Sequence, residues 1–244
     1  MGYPTCMGAN SVATLPRSLS RLRDLAQSSD LPLPDYTLGE RIADGCIHVV
    51  GVVASLAAAA VLLTVAILYL PALSTVSLGI YAAGMIGVFA FSAGYHLVGR
   101  SRLKEILRRF DHAAIYVKIA ATYTPFAVVK MGGLAGLGLL GAVWAVGLFG
   151  VAAKLFWPAQ LVRTSYVLYL AQGWACVAAI GPMMEAVPAR ALLLLLIGGI
   201  LYTVGVAFHL WRTLRYHNAI WHGFVLVASG CHFAAVVDAV AISA

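Results

Sequence analysis

Seven long apolar runs, parted by short polar or Pro- and Gly-containing links, limit what this chain can fold into more than any other feature. A helix of about 20 apolar residues crosses the hydrocarbon core of a bilayer and satisfies its backbone polar groups without water. Composition agrees: 62% of the 244 residues are hydrophobic and only 10% are charged. A soluble domain of that size needs far more Lys, Arg, Asp and Glu on its surface. The runs are continuous rather than alternating, which disfavours a transmembrane β-barrel. The expected fold is an all-α integral membrane protein, a seven-transmembrane-helix bundle. Its spans fall at roughly 41–69, 75–98, 110–129, 132–153, 164–184, 189–211 and 218–243.

Residues 1–36 are rich in Ser, Pro, Asp and Arg. They read as a mobile cytosolic tail with a short amphipathic helix near 15–27 and no signal-peptide core. Residues 37–244 form the transmembrane domain, opened by Thr37-Leu38-Gly39-Glu40, which fits a capping box. Pro125 is placed to kink the third span, and the Gly-rich fourth suits close packing in lipid. With the N-terminus in the cytosol, thirteen of the fifteen Lys and Arg residues outside the spans fall on the inner side. That bias sets an inside N-terminus and an extracytoplasmic C-terminus. The net charge of +7 resides at these span ends rather than in a basic domain, so no nucleic-acid partner is expected. The cysteines are scattered, without a disulfide framework or a Cys-pair zinc spacing.

Ionisable side chains at membrane depth are expensive and mark function. Four helix ends bring such residues to one level: Asp44 and His48, Ser92 and His96, Asp111 and His112, His217 and His222. Asp44/His48 and Ser92/His96 are i,i+4 pairs, so each pair shares a helix face. A His-rich, Cys-free set suits Zn²⁺, with an open position for water if three protein groups bind. Asp111 is placed to hold that water or to orient a ligand histidine. Plainer readings stand beside this one. His48 hydrogen-bonds Asp44 or a neighbouring helix, His112 is a headgroup-level or packing residue, and His209 is interfacial. His232, about 15 Å deeper than His222, is a buried polar contact. Lys118, about 10 Å deeper than Asp111, either lines a cavity or snorkels to an interface.

Several stretches together resemble the haemolysin III family, the bacterial branch of the progestin and adipoQ receptor family. They are Glu40 through Asp44 to His48, Ser92-Ala93-Gly94-Tyr95-His96, Asp111-His112-Ala113-Ala114-Ile115-Tyr116, Thr122-Tyr123-Thr124-Pro125-Phe126, Gly173-Trp174, and Ala219-Ile220-Trp221-His222 with His232-Phe233. The resemblance implies a seven-helix bundle in a bacterial inner membrane, with an intramembrane Zn²⁺ near the cytosolic side. Carried over, His96 and His222 are metal ligands, and Ser92 and Asp111 belong to the same site as catalytic groups. The family pattern often places its other span-seven His four residues before the last one. That position here is Asn218, and His217 lies five before. His217 is expected as the third metal ligand, reaching back from an unwound first turn. Otherwise Asp111 or water completes a two-histidine site, or no metal is tightly held.

Three functions fit these residues. The first is a zinc-dependent hydrolase of a lipid amide, serving membrane lipid homeostasis. The second is a non-enzymatic lipid or fluidity sensor with structural zinc. The third is an ion or proton conductor along Lys118, Asp111 and His232. Membrane lipids are the expected partners in the first two.

Overall fold

The computed structural model describes residues 36–99, 102–157 and 162–242. The expected tail and its short helix lie outside these residues, apart from Tyr36. Helix α1 (Leu38–Tyr69) starts where the capping box puts it. Glu40 N–H donates to Thr37 Oγ1 at 3.3 Å, and Thr37 N–H donates to Glu40 Oε2 at 2.8 Å. Two of the donors left over at a helix start are thereby satisfied. Its 32 residues make α1 about 48 Å long, more than the ~30 Å hydrocarbon core requires. The chain turns at Leu70-Pro71 into α2 (Ala72–Leu97).

Helix α3 (Arg102–Pro125) continues past its proline as a π-helical turn over Phe126–Met131. Pro125 supplies no N–H to the ladder, and the wider turn absorbs the defect. Gly132 and Gly133, at φ 58° and 55°, then reverse the chain into α4 (Gly133–Phe156). A side chain at that positive φ would be strained.

The expected fifth span is not one continuous α-helix. It divides into α5 (Val162–Gly173), a 3₁₀ stretch (Ala175–Ala179) and α6 (Ile180–Ala186). Tyr123 of α3 stitches the break: its hydroxyl donates to the Gly173 carbonyl at 2.6 Å and accepts Cys176 N–H at 3.1 Å. A side chain inserted into the helical ladder is an established cause of such a break. Helix α7 (Ala189–Leu210) and α8 (His217–Val236), prolonged by a π-helical turn over Val237–Ile242, complete the bundle.

The described residues thus form seven helical rods, with α5 and α6 counted as one. Six are long and apolar enough to cross a membrane. The seventh, α3, carries Arg108, Arg109, Asp111 and Lys118 and is the most polar. Helix α2 packs on α1 and α3, α3 on α4, α7 on α8, and α8 returns to α1. At Gly84 of α2 a Cβ would lie 2.7 Å from Ala121 Cβ, so α2 and α3 meet with almost no side chain between them. Leu78, Tyr81, Met85, Phe126, Val236 and Val240 fill the core. Outward lie Val53, Ile67, Leu134 and Leu148, all exposed, while serines, threonines and two lysines are buried. An apolar exterior of this extent is stable in hydrocarbon, not in water.

Candidate metal centre

Four helix ends converge at the level where α1 begins. On α1, Asp44 and His48 stand one turn apart and both face inward. The last turns of α2 supply Ser92 and His96, and α3 supplies Asp111. Helix α8 supplies Asn218 and His222, again one turn apart on one face. The start of α8 is held by Tyr216, the only non-glycine at positive φ (61°) among the described residues. Its N–H donates to Glu40 Oε1 at 3.0 Å. The same Glu40 that caps α1 therefore ties the α7–α8 turn to it.

Asp44, His48, His96 and His222 each present one ligand atom, and these four atoms lie within 4.8 Å of one another. The three imidazole rings pack mutually, with centroids 4.6 Å (His48–His96), 4.4 Å (His48–His222) and 4.6 Å (His96–His222) apart. The Asp44 carboxylate is their hub. Its Oδ1 lies 2.7 Å from His222 Nδ1, and its Oδ2 lies 3.0 Å from His96 Nδ1. A carboxylate oxygen accepts, so these Nδ1 atoms carry the protons, and each Nε2 keeps its lone pair. Asn218 Nδ2 donates to Asp44 Oδ2 at 3.2 Å. His48 Nε2 is 3.5 Å from Asp44 Oδ2, within ion-pair range, yet it is buried and makes no hydrogen bond. Three imidazoles and a carboxylate, with one ring nitrogen left without a partner, form a donor set that fits a divalent metal ion.

The expected site residues divide. His96 and His222 belong to the four. Ser92 and Asp111 are both buried and lie outside the four. His217, expected as the third ligand, is not one of these four residues. Helix α8 is already wound at His217, so no loosened turn lets it reach back. One residue is about 100° around the helix, and His217 therefore stacks on His209, at 6.4 Å between ring centroids. Its expected place is taken by Asn218, and the group is completed from α1 instead. His48, a hydrogen-bonding residue on the plainer reading, joins the group. The signal that could have promoted it was its i,i+4 spacing from Asp44 at the shared level.

Residues 38–233 match the family model described as "Haemolysin-III related". A Bacillus subtilis (strain 168) protein named "Hemolysin-3 homolog" is 37% identical over 202 residues, covering 83% of this chain and 95% of its own. "Hemolysin-3" of Bacillus cereus is 34% identical over 198 residues, covering 81% and 90%. The human "Monocyte to macrophage differentiation factor" is 26% identical over 163 residues, covering 64% and 67%. No solved structure matches significantly. The two Bacillus relatives and the apolar helices make this a multi-pass protein of the bacterial plasma-membrane type. The convergence of its helix ends on one inward-facing polar group and the match across 38–233 lead to one statement: the chain belongs to the haemolysin III family.

Proposed function

We propose that His48, His96 and His222 of this group hold Zn²⁺ and that the protein hydrolyses a membrane lipid, of the lipid-amide class, in the service of lipid homeostasis. The observation that carries the reading is the pair of carboxylates. Asp44 is taken up by the histidines, whereas Asp111, buried with Ser92, is left for proton handling. A zinc ion bound here would polarise a carbonyl and acidify a water at an open position. The chain's own contributions are separable. Asp44 orients His96 and His222 through their Nδ1 protons, a carboxylate–histidine arrangement that fixes which nitrogen faces the metal. Asp111 accepts a proton from the attacking water and returns it to the leaving amine, with Ser92 holding its carboxylate in place. The burial of these groups limits access of bulk water.

A second reading has its own support. If Asp44 ligates as well, four protein groups close the coordination shell, the pattern of structural zinc. The protein would then sense lipid without turnover. One experiment separates the two: purified protein of measured zinc content is offered a ceramide in mixed micelles, and the released fatty acid is quantified. Hydrolysis that is lost in Asp111→Asn at unchanged zinc content supports the hydrolase. Zinc-loaded protein without turnover of ceramide or other lipid amides sinks it.

A further inference from the structure

Lys154 stands in the last turn of α4 and is only 5% exposed. Its side chain makes no hydrogen bond or ion pair with a described residue. The free carbonyls at a helix C-terminus favour a cation, but weakly. A lysine so enclosed, with no acid beside it, is disfavoured unless an anion meets it. The first turns of α3 pack against this end of α4, and Arg109 Nη1 donates to the Leu155 carbonyl at 3.4 Å. Arg108 and His112 stand one turn apart on α3 and share a face of it. The charge of Arg108 reaches Lys154 and repels it, and the charges of both reach His112. Tyr169 of α5 fixes the main chain here by donating to the His112 carbonyl at 2.9 Å.

No acid of the chain answers this group. Glu105, the carboxylate one turn before Arg109, is exposed and forms no ion pair. Asp111 is buried, and the cations whose charges reach it are His96 and His48. The depth of the cluster can be read from its neighbours. Phe156 and Trp157 follow Lys154 at once, are 72% and 55% exposed, and lie with ring centroids 6.0 Å apart. Exposed aromatic side chains at a span end mark the boundary between hydrocarbon and headgroups. By the Lys and Arg bias this end of α4 is cytosolic, so Lys154 lies at headgroup depth in the inner leaflet.

We propose that Lys154, Arg108 and His112 bind the phosphate of an anionic phospholipid in the cytosolic leaflet. The ammonium and the guanidinium supply charge-assisted hydrogen bonds to the phosphate oxygens, and the imidazole adds a neutral donor. A basic pocket between membrane helices on this side suits such a headgroup. An ethanolamine or choline head would add a further cation to a cluster that holds no acid. The expected ligand is therefore an amine-free lipid such as phosphatidylglycerol. Soluble phosphate offers the same chemistry without the headgroup depth.

The test is binding of radiolabelled phosphatidylglycerol to the full chain in detergent micelles. Phosphatidylcholine and phosphatidylethanolamine with the same acyl chains, and inorganic phosphate, are the competitors. The assay reads no turnover and none of the three residues belongs to the metal group, so it is independent of the hydrolase reading. One saturable site is expected, which the two amine-bearing lipids displace poorly. Lys154→Met and Arg108→Gln should each weaken it by at least about tenfold, the loss expected for one charge-assisted hydrogen bond. Arg41→Gln removes the same charge from an exposed position on the same side and should change affinity by less than about threefold. Equal losses in Arg41→Gln and Lys154→Met would mean a diffuse attraction to the basic face and would overturn the site. So would unchanged affinity in either folded variant, or equal displacement by all three lipids. Displacement by millimolar inorganic phosphate would overturn the lipid assignment and give the site to a soluble phosphate. If the variants do not fold, melting of the wild type decides: phosphatidylglycerol should stabilise it more than phosphatidylcholine does at equal mole fraction, and equal shifts overturn the site.

Discussion

Replacing Asp44 by asparagine tests the metal centre at its hub. The substitution keeps shape and removes the charge. In the wild type the carboxylate meets His222 Nδ1 at 2.7 Å, His96 Nδ1 at 3.0 Å and Asn218 Nδ2 at 3.2 Å. Asparagine retains one oxygen, so its amide group must face at least one of these donors, and that donor is left unpaired. Hydrogen bonds to a charged group contribute about 1.5–3 kcal/mol each, and a buried unpaired donor costs about 1–3 kcal/mol. The Asp44 side chain is only 12% exposed, so solvent screens little of this. Breaking one side of a buried ionic cluster costs roughly 3–5 kcal/mol in comparable cases, which bounds the sum. Zinc affinity, read by chelator competition on purified protein, should fall about 10–100-fold if Asp44 only orients the imidazoles. If Asp44 is itself a ligand, 3–5 kcal/mol corresponds to a loss of roughly 10²-fold to several thousand-fold. A folded Asp44→Asn protein that binds zinc within twofold of the wild type would refute the role of this carboxylate.

Further outcomes follow from the same geometry. His217→Ala should leave zinc stoichiometry and affinity unchanged in elemental analysis, because the ring stacks on His209; a loss comparable to that of His222→Ala would return His217 to the metal. Tyr123→Phe should lower stability by about 1–3 kcal/mol, seen as a lower melting temperature, because the Gly173 carbonyl and Cys176 N–H lose their shared partner. An unchanged melt would mean that another group repairs the α5 break. Gly84→Leu should disrupt the α2–α3 contact and cost about 1–3 kcal/mol, since even a Cβ there meets Ala121 at 2.7 Å. A reporter fused after Ala244 should score as extracytoplasmic, and a cytosolic signal would refute the orientation drawn from the Lys and Arg bias.

Local chemistry made most of the architecture legible in the sequence. Apolar runs long enough for a bilayer dictate helices, because lipid leaves the backbone no other partners. The capping box dictated the start of α1, and proline with glycine dictated where the third rod changes form and ends. The shared level of Asp44, His48, Ser92, His96, Asp111 and His222 could also be read, since depth follows from position along each span. What depth does not specify is azimuth between helices. Whether α8 presents His217 or Asn218 to α1 depends on where the helix winds up, and that is set by the Glu40–Tyr216 contact across 176 positions of chain. Asp44 becomes the hub only because α8 returns against α1, a pairing with no trace in either segment alone. The interruption of the fifth rod is tertiary in the same sense, as it depends on a tyrosine from α3. Sequence determined which residues share a depth and a face of their own helix. Only the packing of one helix on another decided which of those faces meet.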